Sequence, residues 1–195
     1  RSEALTRIDS ATSHILSLVE DTLDITRIEA GALPVHLETV PLAGVVDDVV
    51  SLLTPLAAQR HATIESTVPA GQAVLADRVR LRQVLINIVG NAVRYGGNGV
   101  HITLSSGVSP STARDGHRQP GVSLSIADDG PGISPEMMER LFVPFERLGQ
   151  RGVTDGGAGL GMMLARNLVE LMNGSLDVQS AVGQGTTVTI TLPAV

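Results

Sequence analysis

Five polar residues, Arg80, Gln83, Asn87, Asn91 and Arg94, recur at intervals of three, four, four and three. At about 100° per residue this spacing lays them along one narrow helix face, beside an apolar face of Val84, Leu85, Ile88 and Ala92. A merely solvated face is the plain alternative. Asparagine is a poor helix former, however, and a solvated face would more often carry Glu, Lys or Gln. Amide oxygens one turn apart, in line with a guanidinium, suit a hard cation and a phosphate chain, because Mg2+ takes oxygen ligands and retains several waters.

A second group, Asp128-Asp129-Gly130-Pro131-Gly132-Ile133, follows an apolar segment ending at Ala127. By itself it reads as a turn. A carboxylate followed by two glycines also lets a planar base lie against backbone while accepting from an exocyclic amine, as adenine offers. A third group, Gly156-Gly157-Ala158-Gly159-Leu160-Gly161, opens a helical pattern. Glycine there admits a ligand to the backbone, and the free N–H groups and positive end of a helix favour an anion. The run lacks the strand–helix–strand setting and following acidic residue of a dinucleotide fingerprint. Phe142 and Phe145 lie between the second and third groups, where core packing would also explain them.

Composition narrows the chemistry. The 195 residues contain no cysteine and no lysine. This removes thiolate nucleophiles, cysteine zinc sites, a Schiff-base lysine and the lysine of the G-x-x-x-x-G-K-[ST] phosphate loop. A net charge of −6 opposes a polyanion, so no nucleic-acid partner is expected. No uninterrupted apolar run reaches the roughly 18 residues of a membrane span, and no signal peptide opens the sequence. Beginning at Arg1, the chain reads as part of a longer protein.

The elements that must position these groups follow from periodicity. Residues 4–30 lack Gly and Pro and place Ile8, Ala11, Ile15, Leu18 and Ile25 on one stripe, which predicts a long helix in need of a partner helix. Gly31 and Pro34 end it. The pattern then predicts a strand over 35–42, an amphipathic helix through Val45, Val49 and Leu53, strands over 61–68 and 72–76, and a helix capped by Asp77 and running to Tyr95. Strands over 100–106 and 122–127 flank a long mobile loop, 107–121. A short helix from Pro135 through Leu141, a flexible loop over 149–157, a helix over 160–172 and a hairpin over 176–192 complete the chain. The order predicts an α/β protein: a two-layer α/β sandwich whose mixed, mostly antiparallel sheet carries helices on one face, preceded by one long N-terminal helix.

Taken in order and at this spacing, the asparagine helix, D-G-x-G, F-x-x-F and G-x-G-L-G resemble the N, G1, F and G2 boxes of the ATP-binding domain of sensor histidine kinases, in the GHKL superfamily. The resemblance covers about residues 35–193. The first helix, with its Ile28-Glu29-Ala30-Gly31 ending, looks like the second helix of that family's dimerisation and phosphoacceptor hairpin, implying domains at 1–31 and 32–195. By this resemblance Asn91 would hold Mg2+ and Asn87 would lie beside the phosphates as the second catalytic residue. Arg94 would stand near the phosphates, Tyr95 would stack near adenine and Asp129 would receive the adenine amine. Gly130 and Gly132 would shape the base pocket, Gly159, Leu160 and Gly161 would turn backbone to phosphate, and Ile133, Gly157 and Thr186 would also bind ATP. Residues 147–158 would form a lid, with Arg147 and Arg151 as phosphate contacts.

The resemblance implies a kinase that binds Mg-ATP and passes the γ-phosphoryl to a histidine, a reaction that asks mostly for positioning and charge neutralisation. Hydrolytic relatives of the gyrase and chaperone type place a glutamate one turn before the metal asparagine; here Asn87 stands there, and an amide is no general base. A nucleotide-sensing module without transfer is a third reading. No histidine has the acceptor's context: His14 precedes Ile15-Leu16-Ser17, and His36, His61, His101 and His117 fall in predicted strands or loops. The acceptor is therefore expected on a separate helix. The partners implied are that hairpin helix, of the same chain or a dimer mate, and a cognate response regulator. The resemblance implies a cytoplasmic location for this chain, within a homodimeric parent protein for which a membrane anchor stays open.

Overall fold

The structure, a computed structural model, describes residues 2–112, 118–146 and 159–195. Helix α1 (Ser2–Glu29) ends at Gly31, whose φ of 64° carries the chain into the left-handed region. The Gly31 N–H donates to the Ile28 carbonyl at 2.9 Å and the Ala32 N–H to the Arg27 carbonyl at 2.8 Å, satisfying the last free carbonyls of the helix.

Beyond it follow β1 (Glu38–Pro41), α2 (Leu42–Gln59), β2 (Thr63–Ser66), β3 (Ala73–Ala76), α3 (Arg78–Tyr95), β4 (His101–Thr112), β5 (Arg118–Asp128), α4 (Pro135–Met138), α5 (Gly161–Leu171), β6 (Ser175–Ser180) and β7 (Thr186–Pro193). The main sheet has the order β2-β4-β5-β7-β6; β2 runs parallel to β4 and every other neighbour is antiparallel. A separate antiparallel pair joins β1 to β3. Along the central strands Ile102, Leu104, Leu124, Ile126, Val188 and Ile190 are buried, while the alternating Thr103, Ser105, Ser125, Thr187 and Thr189 face the other way. One apolar face is thus available to helices. Val45 and Val49 of α2, Leu81, Leu85 and Ile88 of α3, and Leu164 and Leu168 of α5 join it in a single core.

Three expectations change. The predicted loop over 107–121 is largely strand, since β4 and β5 pair without interruption from Ile102 opposite Asp128 to Thr112 opposite Arg118. The outer part of this ribbon leaves Val108 exposed, so it carries none of the apolar alternation that marks a strand in sequence. The short helix stops at Met138 rather than Leu141, and β1 begins at Glu38 rather than residue 35. Among the described residues, α2 is long and apolar enough by composition to cross a membrane. It is a core helix: Leu42, Val45, Val46, Val49, Leu53 and Ala57 are buried while Asp47 and Asp48 are exposed.

Candidate functional site

Helix α3 is fixed at its start by Asp77. Its Oδ1 accepts from the N–H of Val79 at 3.0 Å and of Arg80 at 3.1 Å, and its Oδ2 from the N–H of His36 at 3.0 Å. Burial alone would raise this carboxyl, but the N–H groups of His36, Arg80 and Val79 hold it below its ordinary value. With Leu81, Val84, Leu85 and Ile88 in the core, Asn87, Asn91 and Arg94 remain half-buried along one edge of α3. The Asn87 amide donates from Nδ2 to the Gly161 carbonyl at 3.3 Å, joining the asparagine helix to the glycine-rich start of α5. A Cβ on Gly161 would lie in ordinary contact with Asn87 Cγ at 3.4 Å, which places the two residues side by side. Arg94 lies back over its own helix, where a Cβ on Gly90 would stand 3.1 Å from its Nη1, and Tyr95 at the helix end is 36% exposed.

The polar stripe divides. Arg80 and Gln83, on the same face by spacing, turn to Asp24 of α1 instead: Asp24 Oδ2 accepts from Arg80 Nη1 at 2.8 Å and from Gln83 Nε2 at 3.1 Å. In the second half of the stripe Asn87 reaches the glycine-rich start of α5.

At the end of β5 the Asp128 loop meets the start of β7. Asp128 Oδ1 accepts from the Gly130 N–H at 3.0 Å and the Thr186 N–H at 3.3 Å. Burial raises the Asp128 carboxyl above its ordinary value, the two N–H groups oppose that rise, and Asp129 adds to it. Among the described residues no buried side-chain oxygen lacks a partner, so Oδ2, which carries neither bond, is reachable from solvent. The expected base-recognising carboxylate, Asp129, points elsewhere. Its Oδ1 accepts from the His101 N–H at 2.7 Å and its own N–H donates to the His101 carbonyl at 3.3 Å, stitching it to the start of β4. Strand alternation explains the difference, because Asp128 shares the face of buried Ile126 and Asp129 does not.

The same loop is braced by the β6–β7 turn. Gly132 has a φ of 69° and lies against the Ala181 carbonyl, so a side chain there would be strained and would also collide. The Ile133 N–H donates to Ser180 Oγ at 2.8 Å, and Ser180 Oγ in turn bonds the Gly185 carbonyl at 2.8 Å and Thr186 Oγ1 at 2.9 Å. Gly130 packs on Gly96, the residue that caps α3, which brings the Asp128 loop to the far end of the asparagine helix. Ser180, Gly185 and Gly96 are parts of the site that sequence spacing did not single out.

At the remaining side, Leu160 caps α5 without a side-chain hydrogen bond, leaving the first N–H groups of that helix available to an anion. Gly159, with φ 74°, lies against the Glu146 carbonyl, so the described residues on either side of 147–158 touch. Arg147, Arg151 and Gly157 lie outside the described residues. Before the segment, Arg140 grips Glu146 through both carboxylate oxygens, at 2.5 and 2.6 Å. Phe142 is half-buried under the Arg166 guanidinium, 5.0 Å from ring centroid to Cζ, while Phe145 is 68% exposed.

Residues 76–195 match the model of the family described as histidine kinase-, DNA gyrase B- and HSP90-like ATPase. The histidine protein kinase DivJ of Caulobacter vibrioides is 32% identical over 188 residues, covering 95% of this chain and 30% of that protein. The adaptive-response sensory kinase SasA of Parasynechococcus marenigrum is 36% identical over 180 residues, covering 91% of this chain and 44% of that protein. The chain therefore spans less than half the length of either relative. Among solved structures, full-length ShkA in complex with AMPPNP superposes with a TM-score of 0.79 at 30% identity, over 99% of this chain and 38% of that one.

Proposed function

Because this chain belongs to the family of histidine kinase-, DNA gyrase B- and HSP90-like ATPases, we propose that it is the ATP-binding catalytic unit of a sensor histidine kinase, preceded by the second helix of a phosphoacceptor hairpin at residues 1–31. The observation that carries the reading is the Asn87–Gly161 hydrogen bond, which brings the amide stripe of α3 and the uncapped start of α5 to one place. The Asp128 loop closes the opposite end through Gly130 and Gly96.

In this reading Asp128, rather than Asp129, accepts the adenine amine on Oδ2 while the Gly130 and Thr186 N–H groups hold Oδ1. Gly132 and Ile133 line the base side, Tyr95 borders it, and the α5 N–H groups at Gly159 to Gly161 face phosphate, with Arg94 nearby. Among the described residues no group of three or more His, Cys, Asp or Glu side chains could hold a metal. A cation here must take its ligands from phosphate, water and the half-buried Asn91 amide, a donor set that suits Mg2+. Mg2+ bound so would neutralise charge on the β- and γ-phosphates. The protein's own part is orientation: Asn87 and the α5 amides fix the phosphate chain while an imidazole nitrogen forms the new P–N bond and the γ-phosphoryl parts from ADP.

Helix α1 exposes Leu16, Val19 and Leu23, spaced three and four apart, which supports a partner helix carrying the acceptor in a homodimer. Ile25 of the predicted partner stripe is instead buried in the core of the catalytic unit. A response regulator would then take the phosphoryl group, and a cytoplasmic setting fits that traffic. Calorimetry with a nonhydrolysable ATP analogue tests the reading. Binding tightened by Mg2+ is the expected result; no binding refutes it.

A further inference from the structure

Asp24 and Asp77 are the buried acidic side chains among the described residues, and both converge on the first turns of α3. Asp77 belongs to α3 as its cap. Asp24 comes from α1 and meets Arg80 and Gln83 in a closed set, since Arg80 Nη1 also donates to Gln83 Oε1 at 3.0 Å. The Arg80–Asp24 side chains are only 19% and 12% exposed, against 48% and 52% for the neighbouring surface pair Arg78–Asp48. A covered pair of this kind leaves an uncompensated charge if it parts, whereas the exposed one contributes little.

Apolar contacts flank the set. Ile25 is buried and Ile28 packs on the core, and α1 lies against α5 while reaching α3 through Asp24. The connection is also pinned, by buried Leu33 and by the His36 N–H on Asp77. Asp21, one turn before Asp24, is half-buried, and burial, Asp24 and Glu20 raise its carboxyl to about 6. Both helices that face phosphate in the proposed function are seated in the core and also touch α1, α3 through Asp24 and α5 by packing. Arg80 and Asn91 ride on one unbroken helix, about three turns or about 16 Å apart.

We infer that Asp24, Arg80 and Gln83 form a clasp that seats the nucleotide-binding unit on α1 in one register, and that Asp24 is thereby a positioning residue for delivery of the γ-phosphoryl to the helix paired with α1. The inference rests on the nucleotide reading for its catalytic meaning. The clasp itself stands on the contacts.

The chain has no cysteine, so Thr22→Cys and Val182→Cys give two unique spin-label positions, one on exposed α1 and one on the exposed β6–β7 turn. Labelled chain diluted with unlabelled chain should give one narrow distance. Asp24→Ala should broaden it, Asp24→Asn should broaden it less, and the exchanged pair Asp24→Arg with Arg80→Asp should narrow it again. In the full-length protein, Asp24→Asn should lower kcat for phosphoryl transfer by about tenfold to a hundredfold while KM for ATP stays within about twofold. An unchanged distance in Asp24→Ala and Asp24→Asn would overturn the clasp. An unchanged kcat, or a loss confined to KM, would overturn its positioning role. Failure of the unaltered chain to bind the ATP analogue would overturn the nucleotide reading and the delivery role with it, an outcome separate from the distances.

Discussion

Asp128 and Thr186 stand opposite each other on β5 and β7, and the Thr186 N–H donates across the ladder to Asp128 Oδ1 at 3.3 Å. With the Gly130 N–H on the same oxygen, this relationship holds the carboxylate rigid while Oδ2 stays reachable. Asp128→Asn keeps the shape but removes the charge from an acceptor, and hydrogen bonds to charged groups contribute about 1.5–3 kcal/mol. ATP binding should weaken by about tenfold to a hundredfold, with a smaller loss for GTP. Asp129→Asn should change neither nucleotide by more than a few-fold, because its carboxylate serves His101. Titration calorimetry on both variants decides between the two carboxylates, and a larger loss at Asp129 would reverse the assignment.

Asn91→Ala should abolish the tightening of ATP binding by Mg2+ and leave the fold intact. Asn91 is half-buried on the edge of α3 and fills no core volume, so the cost in thermal stability should stay within about 0.5 kcal/mol. Calorimetry with and without Mg2+, alongside a melt of the nucleotide-free variant, checks both halves. A large loss of stability without nucleotide would make Asn91 structural.

Much of this site was legible in the sequence, and what was missed has physical causes. Helix α3, its Asp77 cap and the Asn87–Asn91 edge follow from periodicity, because the apolar stripe fixes which side faces the core. Asp128 was hidden by reading D-G-x-G as a motif rather than by strand parity, which sets Asp128 on the side of Ile126 and Asp129 on the other. Ser180 and Gly185 brace the Asp128 loop from about fifty residues away in sequence, and no local pattern announces such a contact. The Asp24 clasp was invisible for a similar reason: a long-range ion pair looks in sequence like two solvated charges on two helices. The β4–β5 ribbon escaped because residues 107–121 carry no apolar alternation in sequence.

Gly132→Ala should impair folding and binding together. At φ 69° a Cβ is strained, and the Ala181 carbonyl occupies the place where it would go. A destabilisation of about 2 kcal/mol is expected, visible as a lower urea midpoint at unchanged slope, with ATP affinity reduced because the Asp128 loop shifts. By contrast, Gly183→Ala meets only the strain of its φ of 76°, since nothing stands within 4 Å of the added carbon, and should cost less. Equal losses at the two positions would show that the Gly132–Ala181 approach is immaterial.

Asp21 makes stability depend on pH in a direction opposite to that of a salt-bridged carboxylate. Burial, then the charges of Asp24 and Glu20, raise its carboxyl from 3.8 to about 6 in the folded chain. Between those values the native state binds more protons than the unfolded one, so this group's contribution falls as pH rises through the window and is complete only below about 4. Asp21→Asn keeps the neutral shape at every pH. The variant should match the parent near pH 4 and exceed it at pH 7.5, by on the order of 1 kcal/mol once screening at this half-buried position is allowed for. Carboxylates not coupled to Asp21, Asp77 among them, titrate in both proteins and cancel in the difference, which therefore carries Asp21 and its couplings to Asp24 and Glu20. Urea midpoints of the pair at the two pH values measure it, and a difference that does not grow between pH 4 and 7.5 would show that the acidic face of α1 is solvated rather than covered.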